Sequence, residues 1–89
     1  MYLTVQTTIT WASANDQQAN SLFNSTRANQ LSIMVANNET DGVVLKSNTA
    51  NSGSIKFIDT TSAQTWINFV ETLATEYGKT IISTAITPL

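Results

Sequence analysis

The sequence predicts a single α+β domain over residues 1–89, with a four-stranded antiparallel sheet and two helices packed on one of its faces. Three observations predict it. Short runs of β-branched and aromatic residues, several with a period of two, occur at residues 2–11, 43–46, 54–59 and 80–87, as strands require. Two longer runs repeat their apolar residues at the 3-4-3 spacing of one helix face. Finally, 89 residues are too few for two domains that each bury a core.

In the first strand Leu3, Val5, Thr7, Ile9 and Trp11 point to one side, and Tyr2, Thr4, Gln6, Thr8 and Thr10 to the other. Ser13 stands where an N-cap is needed, with Asp16 in the first turn to meet the positive end of the helix dipole. Ala19, Leu22, Phe23, Thr26, Gln30, Ile33, Met34 and Asn37 then share a face, so the reading is one long helix over residues 14–36. A rival reading makes 31–35 a strand, because Leu31, Ile33 and Val35 also alternate. The unbroken register from Leu22, and the lack of a turn pair near Gln30, favour the helix. The loop 37–42 ends in the turn pair Asp41-Gly42 and leads into the strand at 43–46. A second polar loop at 48–53 joins it to 54–59 as a hairpin. The next helix is capped at Thr61 or Ser62 and carries the stripe Ala63, Trp66, Ile67, Val70, Leu73, Ala74 and Tyr77. Gly78 stops it, with Lys79 beside the last carbonyls. The last strand, 80–87, ends at Pro88.

Strand, helix, strand, strand, helix, strand is the succession of a ferredoxin-like two-layer sandwich. One sheet face is then open. It is expected to carry Tyr2, Thr4, Gln6, Thr8 and Thr10, joined by Val44, Lys46, Lys56, Ile58 and one of Ile81 or Ile82. A mixed Thr/Val/Ile surface is more than a small monomer leaves in water. A short chain without cysteine staples or a His/Cys zinc site also gains from a partner. The expected assembly is therefore a homodimer or higher homo-oligomer, formed through this face or an edge strand. Its interface would hold Tyr2, Thr4, Gln6, Thr8, Val44 and Ile58.

Composition narrows the chemistry. The chain has no histidine, no cysteine and ten charged residues, whereas Ser, Thr, Asn and Gln fill 38 positions. Imidazoles, thiolates and clustered charges carry most catalysis and metal binding at neutral pH, so no catalytic residue, metal or cofactor is predicted. No GxSxG elbow or phosphate-cradling loop is present. Arg27, Lys46, Lys56 and Lys79 are scattered, which argues against nucleic acid. Residues 1–4 have neither a basic start nor an apolar run, and no apolar stretch is long enough to span a membrane, so a cytoplasmic or intracellular protein is expected. The sequons at Asn24 and Asn38 then carry no sugar.

Candidate groups remain. Glu39 and Asp41 could approach a cation, but two carboxylates are too few, and turn formation is the plainer role. Asp59 precedes a helix and reads best as a cap. Arg27 could meet an anion, although a solvent-facing helix arginine is the simpler reading. Tyr2, Trp11 and Trp66 could line an aromatic pocket or simply pack. The candidate ligand-binding residues are accordingly Arg27, Trp11, Trp66 and Tyr77.

Residues 53–66, GSIKFIDTTSAQTW, with a strand followed by a Ser-x-x-x-Trp helix start, resemble the dimeric α+β barrels of the antibiotic-biosynthesis-monooxygenase-like group. That resemblance implies a sheet-to-sheet dimer and, in some members, a pocket for haem or an aromatic substrate. The histidine and haem-ligand features of the catalytic members are missing here. The near-neutral polar composition is also similar to that of many phage and virion proteins. The functional reading is a non-enzymatic structural or interaction module that associates through its sheet. The alternative is a small-molecule-binding protein or cofactor-light enzyme of the dimeric barrel type, marked by an unfilled apolar cavity between sheet and helices, lined by Trp66, Phe23 and Tyr77.

Overall fold

The computed structural model describes residues 2–18, 20–47 and 49–89. Among them it places seven elements: β1 (Val5–Trp11), α1 (Ala14–Gln18), α2 (Ser21–Ala36), β2 (Leu45–Ser47), β3 (Ser52–Phe57), α3 (Thr60–Glu76) and β4 (Ile81–Pro88). The strands form one sheet in the order β2-β3-β1-β4, every neighbour antiparallel. The fold is thus α+β, with the helices on the face to which Thr7, Ile9, Trp11, Ile55 and Phe57 point.

β1 sits at the centre because its inward residues suit a buried face. Thr7, the polar member of that row, is buried without cost to hydrogen bonding, because its Oγ1 donates to the Ile55 carbonyl across the ladder at 3.1 Å. The outer edge of β3 is covered by β2 and, at Phe57, by a bridge from Thr40. Thr40 is fully buried, and its Oγ1 donates to the Lys56 carbonyl at 2.6 Å and accepts from the Gly42 amide at 3.1 Å. Gly42 has φ +76, and a Cβ there would stand 2.7 Å from Val35 Cγ2, so the close return of the chain past the end of α2 needs glycine.

The expected long helix over 14–36 is broken. Ser13 does cap the first turn, its Oγ accepting the Asp16 amide, but α1 stops at Gln18. Asn20 is extended (φ −106, ψ 174) and its Oδ1 accepts from the Phe23 amide at 2.8 Å, which starts a new helix. Asparagine competes poorly inside a helix and well at its N-cap, which explains the break. The restart also turns the buried face. Phe23 and Met34 point inward, whereas Leu22 and Ile33, expected beside them, are 61% and 55% exposed. Ala19, assigned to the same face, lies outside the described residues. Residues 31–35 are helical, so the rival strand does not form.

α3 follows its stripe closely. Ser62, Ala63, Trp66, Ile67, Val70, Leu73 and Ala74 are buried against β1, β3 and β4. Its cap is Asp59, as its place before the helix suggests, with Oδ1 accepting from the Ser62 amide at 2.7 Å; Thr61 and Ser62, the other expected caps, lie inside the helix. Tyr77 is the C-cap, and Gly78 (φ +66) turns the chain out.

The hairpin forms with shifted ends, since β2 is only Leu45–Ser47 and β3 opens at Ser52. Asn48, expected in its loop, lies outside the described residues. This register changes the faces. Lys46 pairs with Gly53 and Leu45 with Ser54, so Lys46 and Val44 belong to the helix side rather than the open face. The open face instead carries Gln6, Thr8, Thr10, Ser52, Ser54, Lys56, Ser83, Ala85 and Thr87, with Thr8 Oγ1 and Ser54 Oγ hydrogen-bonded at 3.1 Å. It is largely polar, with Leu45, paired to Ser54, as an exposed apolar side chain on it, rather than the Thr/Val/Ile mixture expected. Ile81 packs on the core, while Ile82 is the extra residue at the β1/β4 register shift and is exposed.

Candidate functional site

α3 closes one half of the sheet, and α2 does not close the other. Beneath α2 lies a cavity of about 410 Å³. Ile9 and Trp11 of β1, Gly53 and Ile55 of β3, and Val44 and Lys46 at β2 form its floor. Asn24, Arg27, Ala28 and Leu31 of α2 form its roof, spaced along one face at i, i+3, i+4 and i+7. Trp66 and Val70 of α3 make the far wall, and Gln17 of α1 the near end. Its size falls in the range of small-molecule sites, about 300–1,000 Å³.

The hollow has a cause in the sequence. Gly53 takes an inward position between Ile9 and Lys46, and so leaves a gap in the floor where its neighbours carry side chains. A Cβ on Gly53 would meet only Gln17 Nε2, at an ordinary 3.8 Å. Gln17 itself is buried; its Nε2 donates to the Ser52 carbonyl at 2.9 Å and ties α1 to β3.

Arg27 is the most constrained polar group on the cavity wall. Its guanidinium carbon lies 4.3 Å from the Phe23 ring centre and 5.6 Å from that of Trp11. Nη2 donates to the Gln17 carbonyl at 2.9 Å and to Asn24 Oδ1. Burial lowers its pKa from the ordinary arginine value to about 10, and it remains a cation at neutral pH. The solvent-facing reading of Arg27 is therefore corrected: the residue is half-buried and held on two aromatic faces.

Trp11, Arg27 and Trp66 are thus brought to one cavity, as both tryptophans of the chain line it. Tyr77 does not join them. It stands edge-on to Phe23 at 5.5 Å, and Phe23 edge-on to Trp11 at 5.8 Å, so Phe23 and Tyr77 fill the core beside the cavity. Val44, expected at the sheet interface, lines the cavity. Thr4 Oγ1 donates to the Ile58 carbonyl at 2.6 Å, Gln6 and Thr8 lie on the open face, and Tyr2 is 78% exposed and outside this cavity. Gln17, Asn24, Lys46 and Gly53 belong to the cavity without having been singled out for it. An inward glycine in β3 was the available signal, but it needs the register of β2 to be seen.

The carboxylates weighed for a cation serve the backbone and one hydroxyl. Asp41 Oδ1 accepts the Val43 amide at 3.0 Å, and Glu39 Oε1 accepts from Ser62 Oγ at 3.0 Å. No group of three or more potential ligands for a metal occurs among the described residues. No helix there is long and apolar enough to cross a membrane. Compared with known proteins, the chain matches no family model and shows no significant similarity to a curated protein or a solved structure.

Proposed function

We propose that this protein binds a small apolar molecule in the cleft between α2 and the sheet. The observation that carries the reading is a cavity of about 410 Å³ lined mostly by apolar side chains, both tryptophans among them. The cleft opens to solvent, and an apolar ligand seated in it would withdraw its indole and aliphatic walls from water. The groups on the wall are indoles, aliphatic side chains, amides and two cations, which orient a molecule rather than transform it.

We read the architecture as ferredoxin-like, on the strand order β4-β1-β3-β2 and on the element succession with α1 as an added turn. The test of function uses both tryptophans as reporters. Titration with neutral octanamide or 2-naphthamide is expected to shift indole emission for the first, and to raise Tm with concentration for both. Unchanged emission and Tm at millimolar concentrations of these amides and of their carboxylic acids would overturn the reading.

Self-association is a second reading with its own support. β4 spans eight residues at the rim of the sheet, and its outer edge is unpaired among the described residues. Sheet-to-sheet pairing of the dimeric α+β barrel kind would bury the polar open face, so pairing through the β4 edge is the better-supported form. Light scattering at tens of micromolar is expected to give a dimer mass; a monomer mass removes this reading.

A further inference from the structure

Resting on the cleft as a ligand site, we infer that its ligand is an apolar monoanion, a carboxylic acid with an aliphatic or aromatic body, whose carboxylate meets Arg27 and Lys46. The first support is the distribution of charge. The chain is net negative, with six acidic and four basic residues, yet the cavity is lined by two of the four cations and by no aspartate or glutamate. Such a wall attracts an anion into a protein that otherwise repels one.

The second support is how Arg27 is held. A guanidinium has five N–H donors. The two hydrogen bonds it makes among the described residues both leave from Nη2, to a backbone carbonyl and an amide oxygen, neither of them charged. Nη1 and Nε have no protein partner among those residues. The guanidinium is held against the Phe23 and Trp11 rings, and its remaining donors, on Nη1 and Nε, are left for single charge-assisted hydrogen bonds to an anionic oxygen. Lys46 stands across the cavity on the edge strand, where its ammonium adds attraction without fixed geometry.

The third support is that, apart from the amides of Gln17 and Asn24, the rest of the lining is apolar. Ile9, Trp11, Leu31, Val44, Ile55 and Trp66 offer nothing to a fully hydrated ion such as free phosphate. An amphiphile with one charged end satisfies both parts of the site. Carboxylic acids of this kind are ionised at neutral pH, given the ordinary carboxyl range of about 3.3 to 4.3.

The test pairs each acid with its uncharged isostere, using calorimetry on the intact chain at pH 7. Octanoate and 2-naphthoate are compared with octanamide and 2-naphthamide, which separates the aliphatic from the aromatic body. The acids are expected to bind about tenfold or more tightly than the amides, as a charge-assisted pair implies. In R27Q that preference is expected to disappear, and in K46Q, on an exposed edge, to weaken with the fold untouched. R27K keeps the charge but loses the guanidinium's fixed donors and its packing on the two rings, so only part of the preference is expected to remain. Equal binding of acid and amide, or tighter binding of octylamine, overturns the anion inference and leaves the cleft reading standing. Failure of all five compounds overturns both.

Discussion

α2 and α3 are nearly equal in length, sixteen and seventeen residues, and both open on an asparagine or aspartate cap. They use the sheet in opposite ways. α3 lays seven buried residues on β1, β3 and β4, whereas α2 buries only Phe23 and Met34 and leaves Leu22, Ile33 and Val35 in water. The one makes the core, and the other roofs a cavity. A helix anchored at two points can keep its place while the surface between those points stays available to a ligand, which close packing along its length would forbid. The division of labour thus locates the site and says what holds it open.

The largest expected effect tests that anchorage. Phe23 is fully buried, edge-on to Trp11 and Tyr77 and beneath the Arg27 guanidinium. Phe23→Ala is expected to destabilise the fold by about 3–5 kcal/mol in urea unfolding. A cost near that of a surface change would mean that α2 is not hung on this residue, and the contrast with α3 would lose its basis.

A paired truncation sharpens the contrast directly. Ile67 on α3 is surrounded by core, and Ile67→Ala should cost about 2–5 kcal/mol. Leu31 on α2 is half-buried with one side on the cavity, where less is lost, so Leu31→Ala should cost about 1 kcal/mol. Equal costs would show that the cavity does not relieve α2 of packing.

The caps give a smaller and more local comparison. Asp59→Ala and Asn20→Ala each remove a side-chain acceptor from a helix N-terminus and should each cost about 1 kcal/mol. Their hydrogen-exchange patterns should differ. Loss of the Asp59 cap should raise exchange across the sheet and α3 together, since α3 is part of the cooperative core. Loss of the Asn20 cap should raise it mainly in α2. The same pattern from both variants would make the two helices one folding unit.

These differences also mark what could be read in advance. β1 and α3 were legible because burial follows a single strong period in each, from Thr7 to Trp11 and from Ala63 to Ala74. The break at Asn20 was not, since the apolar spacing runs on through it and the cap depends on one backbone angle pair. The face of Val44 and Lys46 was lost for another reason. A one-residue change of register moves every side chain of a strand to the other side, and a three-residue strand has too little pattern to fix it. Trp11, Trp66 and Arg27 were named as candidates on residue type, but only the pairing of Lys46 with Gly53 and the broken helix bring them round a cavity.

The smallest expected change in stability carries the most functional information. Gly53 sits in the cavity floor without a positive φ, and an added Cβ would make only an ordinary contact with Gln17. Gly53→Val therefore places a branched side chain, well suited to a strand, into empty space. Stability should rise or stay within about 1 kcal/mol, since glycine is itself unfavourable inside a strand. The cavity, however, loses the volume of an isopropyl group at its centre, between Ile9 and Lys46. The rise in Tm produced by octanamide in the parent protein should vanish, although α3 and the core beneath it are untouched. If the variant keeps that rise, the ligand sits elsewhere, and the open half of the sheet owes its hollow to loose packing alone.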